Sequence, residues 1–141
     1  AFFGTAAASD YTVTGGAVSY SGPAEWGLNR FILHCAALAQ AAGGVDGFLI
    51  GSELAALTMV RGAGGSYPAV PALQALAAQA RALLGPGCAI SYAADWTEYS
   101  GHQPGGGTRL FHLDPLWSDA NSDAVAMHLP PRPIRPRPRT H

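Results

Sequence analysis

Apolar and polar residues alternate with a period of two through Tyr11-Thr-Val-Thr14 and Ala17-Val-Ser-Tyr20. Gly15-Gly16 between them predicts a hairpin with a two-residue turn. Phe2-Phe3-Gly4 reads as the end of a buried strand. Ser21-Gly22-Pro23-Ala24-Glu25 carries a helix-start signal, with proline in the first turn and an acid near the positive end of the dipole. From there to about Ala42 the pattern turns helical: Leu28, Phe31 with Ile32, Cys35, and Leu38 with Ala39 predict one packed stripe, ended by Gly43-Gly44.

Val45-Asp-Gly-Phe-Leu-Ile-Gly51 is a short apolar run between glycines, predicting a strand buried on both faces. A second helical stripe follows at Val70, Leu73, Leu76 with Ala77, Ala80, and Leu83 with Leu84, and Gly85-Pro86-Gly87 stops it. Cys88-Ala-Ile-Ser-Tyr-Ala-Ala94 predicts the next buried strand, a long loop extends to about Ser122, and Asp123-Ala-Val-Ala-Met-His128 predicts a third. Strand, helix, strand, helix, strand is the alternation of an α/β fold with right-handed crossovers. The strand starts at Val45, Cys88 and Asp123 are 43 and 35 residues apart. Barrel units take roughly 30 residues each, so these suit (β/α)₈ units with enlarged loops, and the 141 residues amount to about half a barrel.

Composition narrows the class. Apolar residues at 48% and a net charge of -1 permit a packed core, and 18 glycines with 11 prolines stop short of a low-complexity chain. No apolar run is long enough for a membrane helix and no export signal is visible. Cys35 and Cys88 read as small hydrophobes, and no metal, cofactor or nucleic-acid partner is expected. His34, His112 and His128 lack the mutual spacing of a metal site. All eight basic residues are arginine, which fits GC-rich coding. Four of them, Arg132, Arg135, Arg137 and Arg139, lie with five prolines in Leu129–His141. The chain therefore divides into residues 1–128, the barrel-like domain, and residues 129–141, a tail expected to be disordered or out of frame.

In barrels, chemistry collects beyond the carboxyl ends of the strands. Glu53 stands there, directly after an apolar run; with little water around it, such a glutamate acts as a general acid, whereas the alternative is a helix-start glutamate favoured by the dipole. Trp96, Glu98, Tyr99 and His102 mix aromatic faces with polar groups just past the next strand, which suits binding of sugar rings or, alternatively, the packing of a loop as the barrel's own lid. The glycine clusters at Gly62-Ala-Gly-Gly65 and Gly105-Gly-Gly107 do not open a helix after a strand, so they read as loops.

Val45-Asp-Gly-Phe-Leu-Ile-Gly-Ser-Glu-Leu54, Tyr67-Pro-Ala-Val70, Ile90-Ser-Tyr-Ala-Ala-Asp-Trp-Thr-Glu-Tyr99, Gly101-His-Gln-Pro104 and Phe111-His-Leu-Asp-Pro-Leu-Trp117 appear in that order. Together they resemble the TIM-barrel-like domain of gene transfer agent and phage-tail host-specificity (baseplate) proteins, over about Phe2 to Met127. The resemblance implies a glycoside-hydrolase-like barrel with Glu53 at the acid/base position after the fourth strand. It further implies cell-envelope glycan as partner, contact with other tail or baseplate proteins, and a location that is cytoplasmic during assembly and then on a phage-tail-like particle. The family's second glutamate, the nucleophile, lies on a later strand, so this chain alone is expected to be inactive. A purely structural tail module using the barrel as scaffold is the alternative, and a free-standing α/β binding protein with a proline-arginine ligand tail is a third.

Where the family continues past Met127, the present residues are rich in proline and arginine, the product expected of GC-rich codons read in a shifted frame. Ala1 is not expected to be the natural start. The tail's remaining readings are a polyproline II ligand through Pro130-x-x-Pro133 and Pro133-x-x-Pro136, or an arginine contact to phosphate.

Overall fold

The computed structural model describes residues 2–129, so the tail from Pro130 onward, with its expected disorder or frame shift, lies outside the described residues. The hairpin forms where the alternation predicts it. β1 (Tyr11–Thr14) pairs antiparallel with β2 (Ala17–Tyr20), and Gly15 and Gly16 have φ of 57° and 78°, as a type I′ turn requires. Tyr11 is buried beneath it and donates its hydroxyl to the Arg30 carbonyl at 2.8 Å, which fastens the hairpin to α1 (Leu28–Ala41).

α1 starts later than the Pro23 signal predicts. Its first amides, on Leu28 and Asn29, donate to the carbonyls of Phe2 and Phe3 at 3.0 and 2.8 Å, so the opening segment caps the helix and forms no strand of its own. A Cβ on Gly27 would lie 2.6 Å from the Phe3 carbonyl oxygen, and this close approach needs glycine. Glu25, expected in the first turn, instead accepts from the Thr5 amide and hydroxyl, which hold its carboxyl below the ordinary value. The buried stripe of α1 is rotated as well: Ile32, Leu33, Ala36 and Ala37 are covered, while Phe31 and Leu38 are exposed. An alanine-rich helix is apolar around most of its circumference, so spacing alone does not single out the arc that packs.

β3 (Gly47–Ser52) leads through the short α2 (Ala55–Thr58) to α3 (Ala69–Leu84), which buries Val70, Leu73, Leu76, Ala77, Ala80 and Leu84 as predicted. β4 (Ala89–Asp95) follows. The segment expected as a long loop is folded: it holds α4 (Trp96–Tyr99), a hairpin of β5 (His102–Gly105) with β6 (Thr108–Leu110), and α5 (Asp114–Trp117). β7 (Ala126–His128) comes last and is shorter than expected. Asp123, expected to open that strand, instead accepts from the Ile90 amide at 2.7 Å and from the Arg81 guanidinium.

β3, β4 and β7 form one parallel sheet in that order, so space follows sequence as it does around a barrel wall. α1 and α3 cover one face, over Ile50, Ile90, Tyr92 and Ala94. Leu49, on the opposite face by strand alternation, is half-exposed, so β3 is not buried on both sides as its apolar run predicts. β3 and β7 are the two edges. The architecture is a partial (β/α)₈ TIM-barrel-like domain with an N-terminal hairpin, and no closed barrel forms among the described residues.

Two expectations follow from this construction. Open strand edges together with exposed Phe31, Leu38 and Leu49 offer apolar surface to a second molecule, so the isolated chain should self-associate; a monodisperse monomer in light scattering contradicts this. Asp123 has its carboxyl held below the ordinary range, first by the Ile90 amide and then by Arg81. A folded value below the unfolded one, about 4, stabilises the fold above that pH and loses the contribution as pH falls through the folded value. Asp123→Asn should therefore flatten the acid limb of Tm against pH, and an unchanged limb counts against the contact.

Candidate functional site

The carboxyl edge of the parallel sheet is built around a backbone irregularity. Leu49 pairs with Ser91 and Ser52 with Ala93, so β3 carries one extra residue there, a bulge immediately before Glu53. A Cβ on Gly51 within this bulge would meet Leu54 Cδ1 at 3.2 Å and the Tyr92 ring at 3.3 Å, so the backbone passes these side chains closely. Glu53 itself has φ of 53°, the one non-glycine residue with positive φ among those described. Two hydrogen bonds clamp it: its amide donates to the Ala93 carbonyl at 2.9 Å, and the next amide, Leu54, donates to the Tyr92 hydroxyl at 2.8 Å.

The Glu53 side chain is not enclosed: it meets His128 on β7, with Oε1 at 2.6 Å from Nδ1, and remains 45% exposed. The expected enclosure fails because β3 is an edge strand whose far side is uncovered. A shallow cavity of about 370 Å³ borders Glu53, walled by Phe2, Leu54, Ala56 and Leu57. Asp95 pairs in register with His128 and occupies the same edge. Its carboxyl is held low mainly by the Thr97 hydroxyl and amide, with His128 adding to the effect. Among the described residues no three His, Cys, Asp or Glu side chains converge closely enough to hold a metal ion.

Beneath this edge lies Glu98, 1% exposed. Its Oε1 accepts from the Tyr92 hydroxyl at 2.8 Å and from the Thr58 hydroxyl, and its Oε2 from the Asp95 amide at 2.8 Å. Burial pushes the Tyr92 hydroxyl far above its ordinary value, so Tyr92 keeps its proton and acts as a donor. Asp95 and Glu98 form a reciprocal capping box on α4. Of the four residues expected to bind sugar, Glu98 is thus an internal tie, while Trp96 and Tyr99 are exposed on α4.

His102 lies in a different cluster. Its Nδ1 is 2.8 Å from the Tyr67 hydroxyl, and its ring meets His112 edge-on, centroids 6.0 Å apart. Tyr67 and His112 line a groove of about 660 Å³ between α3 and α5. His112 is 5% exposed, its Nε2 is 3.4 Å from the Thr58 hydroxyl oxygen, and its Nδ1 has no hydrogen-bond partner. Burial lowers its pKa.

His128, Tyr67 and His112 are absent from the residues expected from sequence. The pairing of His128 with Glu53 depends on the register of β7 against β4, which no local pattern reports. Glu98 did carry a signal, since Asp-Trp-Thr-Glu at 95–98 has capping-box spacing. Glu98→Ala should cost roughly 3 kcal/mol, because it leaves two buried hydroxyls and the half-buried Asp95 amide without this acceptor, against less than about 1 kcal/mol for Trp96→Ala at an exposed position. Urea unfolding of both variants decides this, and equal costs contradict the internal role.

No described helix is long and apolar enough to cross a membrane. No curated protein matches the chain. The family model of the GTA TIM-barrel-like domain matches residues 26–131, well over half of the sequence and including β3, β4 and β7 with the residues at their carboxyl ends. The chain belongs to the gene transfer agent TIM-barrel-like domain family.

Proposed function

We propose that this domain acts on cell-envelope glycans as part of a phage-tail or gene transfer agent host-specificity (baseplate) protein, with Glu53 as the proton-transferring carboxylate. The observation that carries the reading is the placement of Glu53: a non-glycine residue in left-handed backbone, after a bulge, at the carboxyl edge of a parallel sheet. A glutamate so held delivers a proton to the leaving oxygen of a glycosidic bond and recovers it from water in the second step. His128, on Oε1, orients the carboxyl, and the exposed rings of Trp96 and Tyr99 offer faces on which sugar rings stack. Double displacement also needs a nucleophilic carboxylate about 5 to 5.5 Å away. Asp95 is poorly suited to that task, since Oδ1 is engaged by Thr97. The nucleophile is therefore expected on a later strand of the complete barrel, and the particle is where the protein works.

One observation favours the alternative of a non-catalytic tail scaffold: the Glu53 carboxylate is already engaged by His128, a pairing a purely structural residue would make.

In the complete barrel, Glu53→Gln should lower reducing-end release from purified envelope glycan by about 10²- to 10⁴-fold while glycan binding is retained. Unchanged hydrolysis removes Glu53 from the mechanism. Glycan binding without any cleavage by the unaltered barrel supports the scaffold.

A further inference from the structure

Arginine covers some aromatic rings of this chain and leaves others bare. Arg30 lies over Tyr20 at 4.3 Å and over Trp26 at 3.9 Å, and Arg61 lies over Tyr67 at 4.8 Å. Three further rings, Tyr99, Phe111 and Trp117, line one cleft of about 570 Å³ bounded by α4, α5 and the approach to β7, and among the described residues no arginine covers any of them. Tyr99 and Phe111 are about half-exposed. Tyr99 and Trp117 are inclined to each other by 56° with centroids 5.7 Å apart, so their faces are not stacked away.

The rest of the lining fixes the sign of the ligand. Asp114, at the start of α5, is the single charged residue in it, beside Ser118 and Val125. Its carboxylate makes no ion pair among the described residues. A neutral apolar occupant would strip water from that carboxylate and return nothing, which is costly. A cation offsets the loss, and the ring faces carry the negative side of the aromatic quadrupole, so both features of the cleft attract the same charge. A bare ammonium is compact and strongly hydrated, whereas one clothed in methyl groups sheds water readily and presents apolar surface to Val125 and the rings.

We propose that this cleft is a binding site for an organic cation of the choline type, its methylated ammonium held against Tyr99, Phe111 and Trp117 with the charge balanced by Asp114. The site needs nothing from Glu53 and stands whether or not that residue transfers protons.

Saturation-transfer NMR on the full chain tests this with choline, phosphocholine and the neutral tert-butyl analogue of choline, in which carbon replaces nitrogen. Choline should bind about fivefold or more tightly than the neutral analogue, a comparison that needs no variant and so no assumption about folding. Asp114→Asn and Phe111→Ala, both at exposed positions, should each weaken choline about three- to tenfold, while Glu53→Gln leaves it unchanged. Choline bound without phosphocholine identifies a free cation as the ligand, and both bound identifies a headgroup. Equal binding of choline and its neutral analogue, choline binding indifferent to Asp114→Asn and Phe111→Ala, or no transfer at millimolar choline overturns the cation site. The trisaccharide of N-acetylglucosamine giving Phe111-dependent transfer where choline gives none also overturns it.

Discussion

The carboxylate of Glu98 is the contact on which the carboxyl edge of this sheet depends. Three donors from three places in the chain meet on its two oxygens: the Thr58 hydroxyl from α2, the Tyr92 hydroxyl from β4, and the Asp95 amide at the start of α4. Tyr92 also accepts from the Leu54 amide, so the network reaches the peptide that follows Glu53. Thr58 passes it on toward His112. One buried group thus links the backbone at the exposed edge to the interior around Thr58 and His112. Buried polar networks of this kind are worth most when every member is satisfied, and the two oxygens of Glu98 meet that condition with three donors.

How much of this was legible in the sequence depends on how local the cause is. The β1–β2 hairpin, the stripe of α3 and the position of β4 are each set by a few consecutive residues, and all three appear where the pattern puts them. The start of α1 is not local, because its cap is the backbone of Phe2 and Phe3, and its buried arc is not, because alanine leaves several arcs equally apolar. Burial of β3 was overestimated for a related reason: an apolar run says what a strand can bury, whereas its place at the sheet edge decides what it does bury.

The site divides along the same line. Glu53 is visible because position after a strand is a sequence property. His128 and Asp95 join it only through parallel pairing of β4 with β7. Glu98 and His102, adjacent in sequence to Trp96 and Tyr99, leave that surface for opposite reasons: Glu98 turns inward as the capping-box acid, and His102 is drawn to Tyr67 by the β5–β6 hairpin. Sequence proximity therefore grouped four residues that the fold distributes among an exposed edge, an interior network and a separate ring cluster with Tyr67 and His112.

Magnitudes bear on why a glutamate stands at position 53. Left-handed backbone at a non-glycine residue costs about 1–3 kcal/mol, and glycine there would relieve it while keeping the amide bond to Ala93, since that bond uses only backbone. What glycine would forfeit is the carboxylate. In the folded chain that carboxylate makes one ion pair, with His128, and both side chains are well exposed. Exposed pairs contribute about 0.2–1 kcal/mol, which at best offsets the low end of the strain. Stability alone therefore gives little reason for glutamate at this point of the sheet. A carboxylate held at the carboxyl edge against a backbone cost is accounted for when it does work that glycine cannot, which is the physical case for placing the proton transfer on Glu53.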